Sequence, residues 1–403
     1  MKFVLATNSC VPADQEGGPA YATFHLAKAL RECGDAVAIV TTDRNGVERL
    51  TVPLDQWVDV EGVPVFYART APGAWIYSRE YRAALDAVLP GANACIMPGI
   101  FWNYTGIAAW RACRRHGVPY ATIPHGLLSP WALRHRGLKK AIYWRLVARR
   151  IVAGSSAYLA SADRERLDAE CAGLRLKVDV VPNGGDHLDA AAYTDPSAHC
   201  ENLARIGDGR YVLFLGRVHE KKGLDFLIPA FPAVAARHPD VRLVIAGAVD
   251  PAYEATFAAL LAASPVRDRV VVLGNVSGAR KTALLAHATM FALISHSEGL
   301  PVAAVEALTA GLPVILTAEC NLPEIVVADA GREVPREPAA VAAAINGLLD
   351  DEARRREVAD NARRLARDVF SWAAVARRVR SICEGLRTSA VARLGTAAGA
   401  SSR

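Results

Sequence analysis

Ser297-Glu298-Gly299-Leu300-Pro301-Val302-Ala303-Ala304-Val305-Glu306-Ala307-Leu308-Thr309-Ala310-Gly311-Leu312-Pro313 follows the apolar run 291–294, and its reading decides the fold. An apolar strand leads into a short polar turn, and a helix opens at Pro301, a favoured first helical residue. Glu298 then stands just before the helix. Glu306 lies further up it, at about 1.5 Å per residue. The free amides after Pro301 point toward the strand ends, where a helix N-terminus attracts phosphate. A lone carboxylate at that place simply complements the helix dipole. That explanation covers Glu298 but not a second Glu eight residues later in an otherwise apolar helix.

The same alternation of short β-rich runs and Ala/Leu/Arg-rich helical stretches extends over nearly the whole chain, the pattern of a parallel α/β protein. Strands are expected at 3–7, 36–41, 94–97, 120–123, 158–161 and 178–181, with helices such as 21–31 and 164–170 between them. The pattern stops in a polar, Ala-rich segment and restarts with strands at 211–215, 242–246, 270–273, 291–294 and 313–316. The expected organisation is an N-terminal doubly wound domain at 1–190, a linker at 191–208 and a second doubly wound domain at 209–386. Ligands bind at the carboxyl ends of such strands, here facing a cleft between two domains. Residues 387–403, dominated by Ala, Ser, Thr and Gly, read as a disordered tail.

A chain of 403 residues suits two domains. Its 52% hydrophobic and 22% charged residues are those of an ordinary globular enzyme. No apolar run reaches the roughly 20 residues needed to span a bilayer. The N-terminal apolar stretch is too short for a signal peptide and reads as a strand. Eight cysteines are scattered without a C-x-x-C pair, which points to packing roles and a reducing, cytoplasmic compartment. No G-x-G-x-x-G follows the first strand and no Gly-Lys dipeptide exists, which disfavours a dinucleotide dehydrogenase and a P-loop. Neither H-E-x-x-H nor a D-x-D pair is present, so no metal site is expected.

A second motif, Phe214-Leu215-Gly216-Arg217-Val218-His219-Glu220-Lys221-Lys222-Gly223, opens the second domain. Others are Val181-Pro182-Asn183-Gly184-Gly185-Asp186, Gly17-Gly18 before the first helix, and Pro124-His125-Gly126. With Glu298-x7-Glu306 and the following Gly311-Leu312-Pro313-Val314, this ordered set resembles glycosyltransferase family 4, the retaining glycosyltransferases of the GT-B fold. The resemblance runs from about residue 17 to residue 317. It implies two Rossmann-like domains and transfer of a sugar from a nucleotide-diphosphate sugar, a UDP- or GDP-sugar, with no further cofactor.

A nucleotide-sugar breaks at its anomeric carbon, and negative charge grows on the departing diphosphate. Fixed cations placed there stabilise the transition state more than the ground state. Arg217 and Lys222, five residues apart across a strand-to-helix turn, are candidates to converge on that diphosphate, one as a planar fork and the other as a point charge. The plain alternative is a surface charge pair. The resemblance assigns Glu306 to the ribose hydroxyls, and Glu298 with the amides of Gly299, Leu300 and Val302 to the donor sugar. Pro301 stands where many relatives carry Gly, so one backbone donor is lost. His125 corresponds to the family's His near the donor's reactive face; a turn residue capping a carbonyl is the alternative. Gly18 and Gly216 are expected to let the backbone approach the donor closely. The candidate catalytic set is His125, Arg217, Lys222 and Glu298.

The net charge of +6 is concentrated. Between Asp86 and Asp163 there are ten Lys and Arg and no acid, whereas the rest of the chain carries 37 basic against 41 acidic residues. Such asymmetry suggests an anionic partner, unless acids from elsewhere in the fold balance the face. The stretch 131–150, with Trp131, Tyr143 and Trp144 among its basic residues, is expected to meet an anionic membrane surface and a lipid-linked glycan acceptor. That would place the chain in the cytoplasm, peripheral on the plasma membrane's inner face. Nucleic acid is not expected, because no recognised binding motif accompanies the charge. Two other readings stay open: a nucleotide-sugar-binding regulator without transfer activity, and another GT-B enzyme such as an epimerase.

Overall fold

The computed structural model describes residues 1–13, 15, 18–46, 48–73, 75–99, 102–128, 141–185, 206–207 and 209–400. Gly17, Trp131, Lys139, Lys140 and nearly all of the expected linker lie outside the described residues. The chain divides into two compact units, one of Met1–Gly184 together with the segment from Trp372 onward, the other Gly185–Ser371.

The first unit is built on β1 (Lys2–Ala6), β2 (Ala36–Thr42), a two-residue pair β3 (Arg44–Asn45) and β4 (Glu48–Arg49), then β5 (Trp57–Val60), β6 (Val63–Ala68), β7 (Ala94–Pro98), β8 (Tyr120–Ile123), β9 (Ala157–Ala160) and β10 (Val178–Val180). The main sheet runs β10-β9-β8-β7-β1-β2-β6-β5, parallel except at the β5–β6 hairpin. Helices α1 (Gly18–Glu32), α2 (Arg79–Val88), α3 (Tyr104–His116), α4 (Arg149–Ala153) and α5 (Asp163–Cys171) connect the strands. The central strands β1, β7 and β9 are buried almost throughout, as continuous apolar runs covered on both faces must be.

The second unit contains β11 (Tyr211–Leu215), α6 (Leu224–Arg237), β12 (Arg242–Ala246), α7 (Glu254–Ala263), β13 (Val270–Gly274), α8 (Gly278–His287), β14 (Met290–Leu293), α9 (Val302–Thr309), β15 (Val314–Leu316), α10 (Glu324–Val327), β16 (Gly331–Glu333), α11 (Pro338–Asp350) and α12 (Glu352–Leu365). Its sheet is wholly parallel, in the order β13-β12-β11-β14-β15-β16. Strand order reverses at β11, so β12 and β14 flank it and their carboxyl ends gather there.

The compact units have other bounds than the expected domains. The second unit begins at Gly185, not at 209, and ends at Ser371 rather than 386. The last helix, α13 (Trp372–Ala400), returns to the first unit because Val375, Ala376, Val379 and Cys383 are buried in that unit's core with Phe24, Ala27 and Leu30 of α1. The same helix is described to Ala400, within the 387–403 segment expected as a tail.

Two glycines let the chain pass between the units. Gly185 donates its N–H to Phe370 O at 2.7 Å, and a Cβ there would meet Thr309 Cγ2 at 3.0 Å and Val305 Cγ1 at 3.1 Å. A Cβ on Gly184 would fall 2.4 Å from Trp372 Cδ2. At Gly184 the indole would have to shift to admit a side chain, whereas at Gly185 the neighbouring methyls would have to give by a few tenths of an ångström.

Candidate active site

In the second unit the chain leaves β11 through Gly216, at φ 150°, and makes a turn of 3₁₀ helix at Glu220–Lys222. Gly223 closes that turn at φ 69°, and a Cβ there would lie 1.7 Å from Ile294 O, just past the end of β14. His296 N–H donates to Lys221 O at 2.8 Å, which ties the two strand-end loops together. The Lys222 side chain therefore reaches across; its Cε passes 3.9 Å from where a Gly216 Cβ would be. Lys222 Nζ meets Glu298 Oε1 at 2.6 Å, and Ser295 Oγ donates to the same oxygen at 2.7 Å. Glu298 is largely sheltered from solvent and its backbone is pinned by Glu298 N–H to Glu319 O and by Asn321 Nδ2 to Glu298 O.

Arg217 turns the other way. Its Nη1 lies 3.4 Å from Asp250 Oδ2, beyond the end of β12, and its side chain is exposed. The two cations thus engage carboxylates on opposite flanks of β11.

Pro301 caps α9 from outside, with φ −75° and ψ 104°, rather than serving as its first helical residue. Pro301 O accepts from the amides of Ala304 and Val305. The amides of Gly299, Leu300 and Val302 have no backbone acceptor among the described residues, so they remain donors beside Glu298. One and a half turns into the helix, Glu306 Oε1 binds Lys281 Nζ of α8 at 2.6 Å. Lys281 was missed by sequence reasoning. It is one of two adjacent basic residues opening a helix, and nothing local marks it.

In the first unit His125 follows β8 and has φ 47°, with Gly126 next at φ 74°. Two successive left-handed residues reverse the chain tightly, and Leu127 N–H closes the turn onto Pro124 O. A non-glycine residue held so is strained and persists only where its surroundings fix it. Glu165, in the first turn of α5, does so: it accepts from Gly126 N–H through one oxygen and from Ser161 N–H and Oγ through the other. Burial pushes the Glu165 carboxyl up, and those donors pull it back. Its position in a first helical turn reads as dipole complement, which hides this role in the sequence. His125 is half-buried as a residue, but Nε2 is fully enclosed, and burial pushes the imidazole down to about 4. It is a neutral ring near pH 7.

Gly18 opens α1 at an exposed position with no heavy atom within 4 Å of a Cβ built there, so packing does not require glycine. Among the described residues no group of three or more His, Cys, Asp and Glu gathers as a metal site.

The first half of the chain, residues 17–184, matches the family of glycosyl transferase 4-like domains, and residues 199–365 match glycosyl transferases group 1. A D-inositol 3-phosphate glycosyltransferase of Xylanimonas cellulosilytica is 31% identical over 389 residues, covering 90% of this chain and 91% of that one. The chain belongs to the family 4 glycosyltransferases. A glycogen synthase of Mycobacterium tuberculosis is 27% identical over 386 residues, covering 89% of each chain. Among solved structures, Anabaena HepE in complex with UDP superposes with a TM-score of 0.71 at 20% identity, covering 96% of this chain and all of that one. That likeness establishes the GT-B fold for this glycosyltransferase, with its two Rossmann-like units. As an enzyme it transfers glycosyl groups, and the motifs that identified the family sit at the strand ends described above.

Proposed function

We propose that this glycosyltransferase moves a sugar, with retention of anomeric configuration, from a UDP- or GDP-sugar to a hydroxyl of a lipid-linked glycan acceptor. The observation that carries the reading is the Lys222–Glu298 pair over Gly216, beside the donor amides of Gly299, Leu300 and Val302. A diphosphate over Gly216 competes with Glu298 for Lys222 and with Asp250 for Arg217, so both cations are released to it where charge grows. Glu298, freed from Lys222, faces the donor sugar with the neighbouring amides. Glu306, oriented by Lys281, faces the ribose. His125 stands at the reacting sugar as an uncharged hydrogen-bonding ring, and the open space at Gly18 leaves room for substrate. The UDP held by the Anabaena relative supports a nucleoside diphosphate leaving group.

The acceptor proposal rests on the acid-poor face. Tyr143 and Trp144 do not point outward as expected. Tyr143 packs against Trp75 at 5.6 Å, and Trp102 lies 5.9 Å from Tyr143 and 5.7 Å from Trp144. They are half-buried because the π-helical turn Trp144–Ala148 and α4 lay that side against the core. The exposed side instead carries Ile142, Arg145, Leu146, Arg149 and Arg150, at helical spacing. Among the described residues the window's ion pairs are Arg115 and His116 with Asp86, which leaves Arg145 and Arg150 without a carboxylate. Exposed apolar residues among arginines suit an anionic interface, at about 1 kcal/mol per basic residue. No helix among the described residues is long and apolar enough to cross a membrane, so association is proposed at the surface.

A panel of nucleotide-sugars, scored by thermal shift, hydrolysis and the configuration of the transferred sugar by NMR, tests the reaction. Inversion, or no response to any nucleotide-sugar, defeats it. Co-sedimentation with neutral and anionic vesicles tests the surface. Binding only to anionic vesicles, reduced by salt and by neutralising Arg145, Arg149 and Arg150, is expected. Indifference to lipid charge moves the acceptor to a soluble sugar.

A further inference from the structure

The C-terminal helix α13 begins with a tryptophan whose role the reaction does not explain. Trp372 is clamped. Gly184 lies so close that a Cβ there would be 2.4 Å from Cδ2, and on the other side the His25 ring stacks at 5.6 Å and 25°. Its Nε1 is fully enclosed and has no hydrogen-bond partner among the described residues; the same is true of His125 Nε2. These two orphaned nitrogens belong to residues that line one narrow cavity, about 20 Å³ in water-accessible volume, together with Thr23, Asn183 and apolar side chains including Leu26 and Val181. That is room for one water, and a buried water is stable where two to four polar groups receive it. Leaving two enclosed polar nitrogens unpaired is costly, so both call for a partner.

We propose that the cavity holds a single water that accepts from Trp372 Nε1–H and donates to His125 Nε2, making Trp372 a positioning residue that sets the tautomer of His125. Indole nitrogen only donates, so the water's two protons seek acceptors, and the enclosed Nε2 is one. Thr23 Oγ1, whose own proton goes to Pro19 O at 2.8 Å, offers lone pairs for the second. With Nε2 accepting, the proton of the neutral ring sits on Nδ1, and His125 presents an N–H donor to substrate rather than a base. The return of the chain to the first unit at Trp372 thereby fixes the chemistry of a residue at the end of β8. This rests on the reading that His125 stands at the reacting sugar.

The test uses the full-length protein labelled with ¹⁵N-histidine. Long-range ¹H–¹⁵N correlation spectra, with His125→Gln to assign the signal, report which ring nitrogen bears the proton. The wild type is expected to show a protonated Nδ1 and a hydrogen-bonded, unprotonated Nε2. Trp372→Phe, which keeps the ring shape and removes the N–H, is expected to mix the tautomers and lower kcat about tenfold, the scale of one net hydrogen bond, with the donor KM unchanged. A protonated Nε2 in the wild type overturns the proposal, as does an unaltered tautomer in Trp372→Phe. Should that variant not fold, the wild-type spectrum and the presence or absence of an ordered water in a high-resolution crystal structure decide it alone. Full turnover by His125→Gln defeats the reading of His125 at the sugar, while the spectrum still judges the link to Trp372.

Discussion

The two units solve opposite electrostatic problems. In the second, four charged side chains form two tight pairs, Lys222 with Glu298 at strand ends and Lys281 with Glu306 between two helices, each partly open to solvent. In the first, the candidate residue is a neutral histidine held in a left-handed turn by a buried carboxylate. Pairing keeps charge available for a charged leaving group, since an ion pair can be exchanged for a phosphate at little desolvation cost. Desolvation instead removes charge, and the enclosed His125 ring is neutral.

The contrast breaks most readily at Lys222. Lys222→Ala is expected to lower kcat by about 10²–10³ with the protein still folded, because a preorganised cation is lost where charge develops. Arg217→Ala acts in the same direction. Near-normal kcat in both variants means that the second unit does not stabilise the leaving group through these residues.

A smaller effect is expected at the other pair. Lys281→Met and Glu306→Gln should each raise the donor KM by about ten- to a hundredfold, the worth of a hydrogen bond to a charged group, with little change in kcat. Glu298→Gln should instead act on kcat and on sugar preference. Identical behaviour of Glu298 and Glu306 variants toward a donor analogue lacking the sugar removes the division of roles.

The pH profile sharpens the first unit's side of the comparison. With the His125 imidazole near 4 instead of 6.5, no loss of activity between pH 8 and 5 is expected from its protonation. The sign for stability follows. Below 6.5 the unfolded chain takes up a proton on this ring that the folded chain refuses, so burial of neutral His125 costs stability as pH falls from about 6.5 to 4, and no more below that. An acid limb near 6.5 that disappears in His125→Gln contradicts a desolvated ring. The smallest expected effect is none at all: activity in excess chelator should be unchanged, because Arg217 and Lys222 supply the positive charge. A loss restored by Mg²⁺ or Mn²⁺ counts against the site.

Much of the architecture was legible locally. Strands β8, β11 and β12 run at 120–123, 211–215 and 242–246, where the apolar runs put them. The β5–β6 hairpin escaped notice although Val-Asp-Val-Glu-Gly-Val-Pro-Val carries its signal, a two-residue turn with Glu61 at φ 48° and Gly62 at φ 84°. β16 escaped because three residues make no periodic pattern. Of the candidate site, Lys222, Glu298 and Glu306 could be named from the sequence because each stands within a motif of the ordered set, beside a turn glycine or a helix start.

By itself the sequence determined the periodicities and the glycines: which segments are strands, where the backbone turns left-handed, and which family the ordered motifs belong to. Those are local properties, set by side-chain shape and by φ within a few residues. Only the tertiary structure decided the pairings. Lys222 meets Glu298 across 76 residues because β11 and β14 are neighbours in the sheet. Glu165 holds Gly126 across 39 residues. Trp372 closes the cavity at His125 because α13 crosses back. Strand order and chain return depend on how whole apolar faces are buried together, and no short window of sequence carries that free energy.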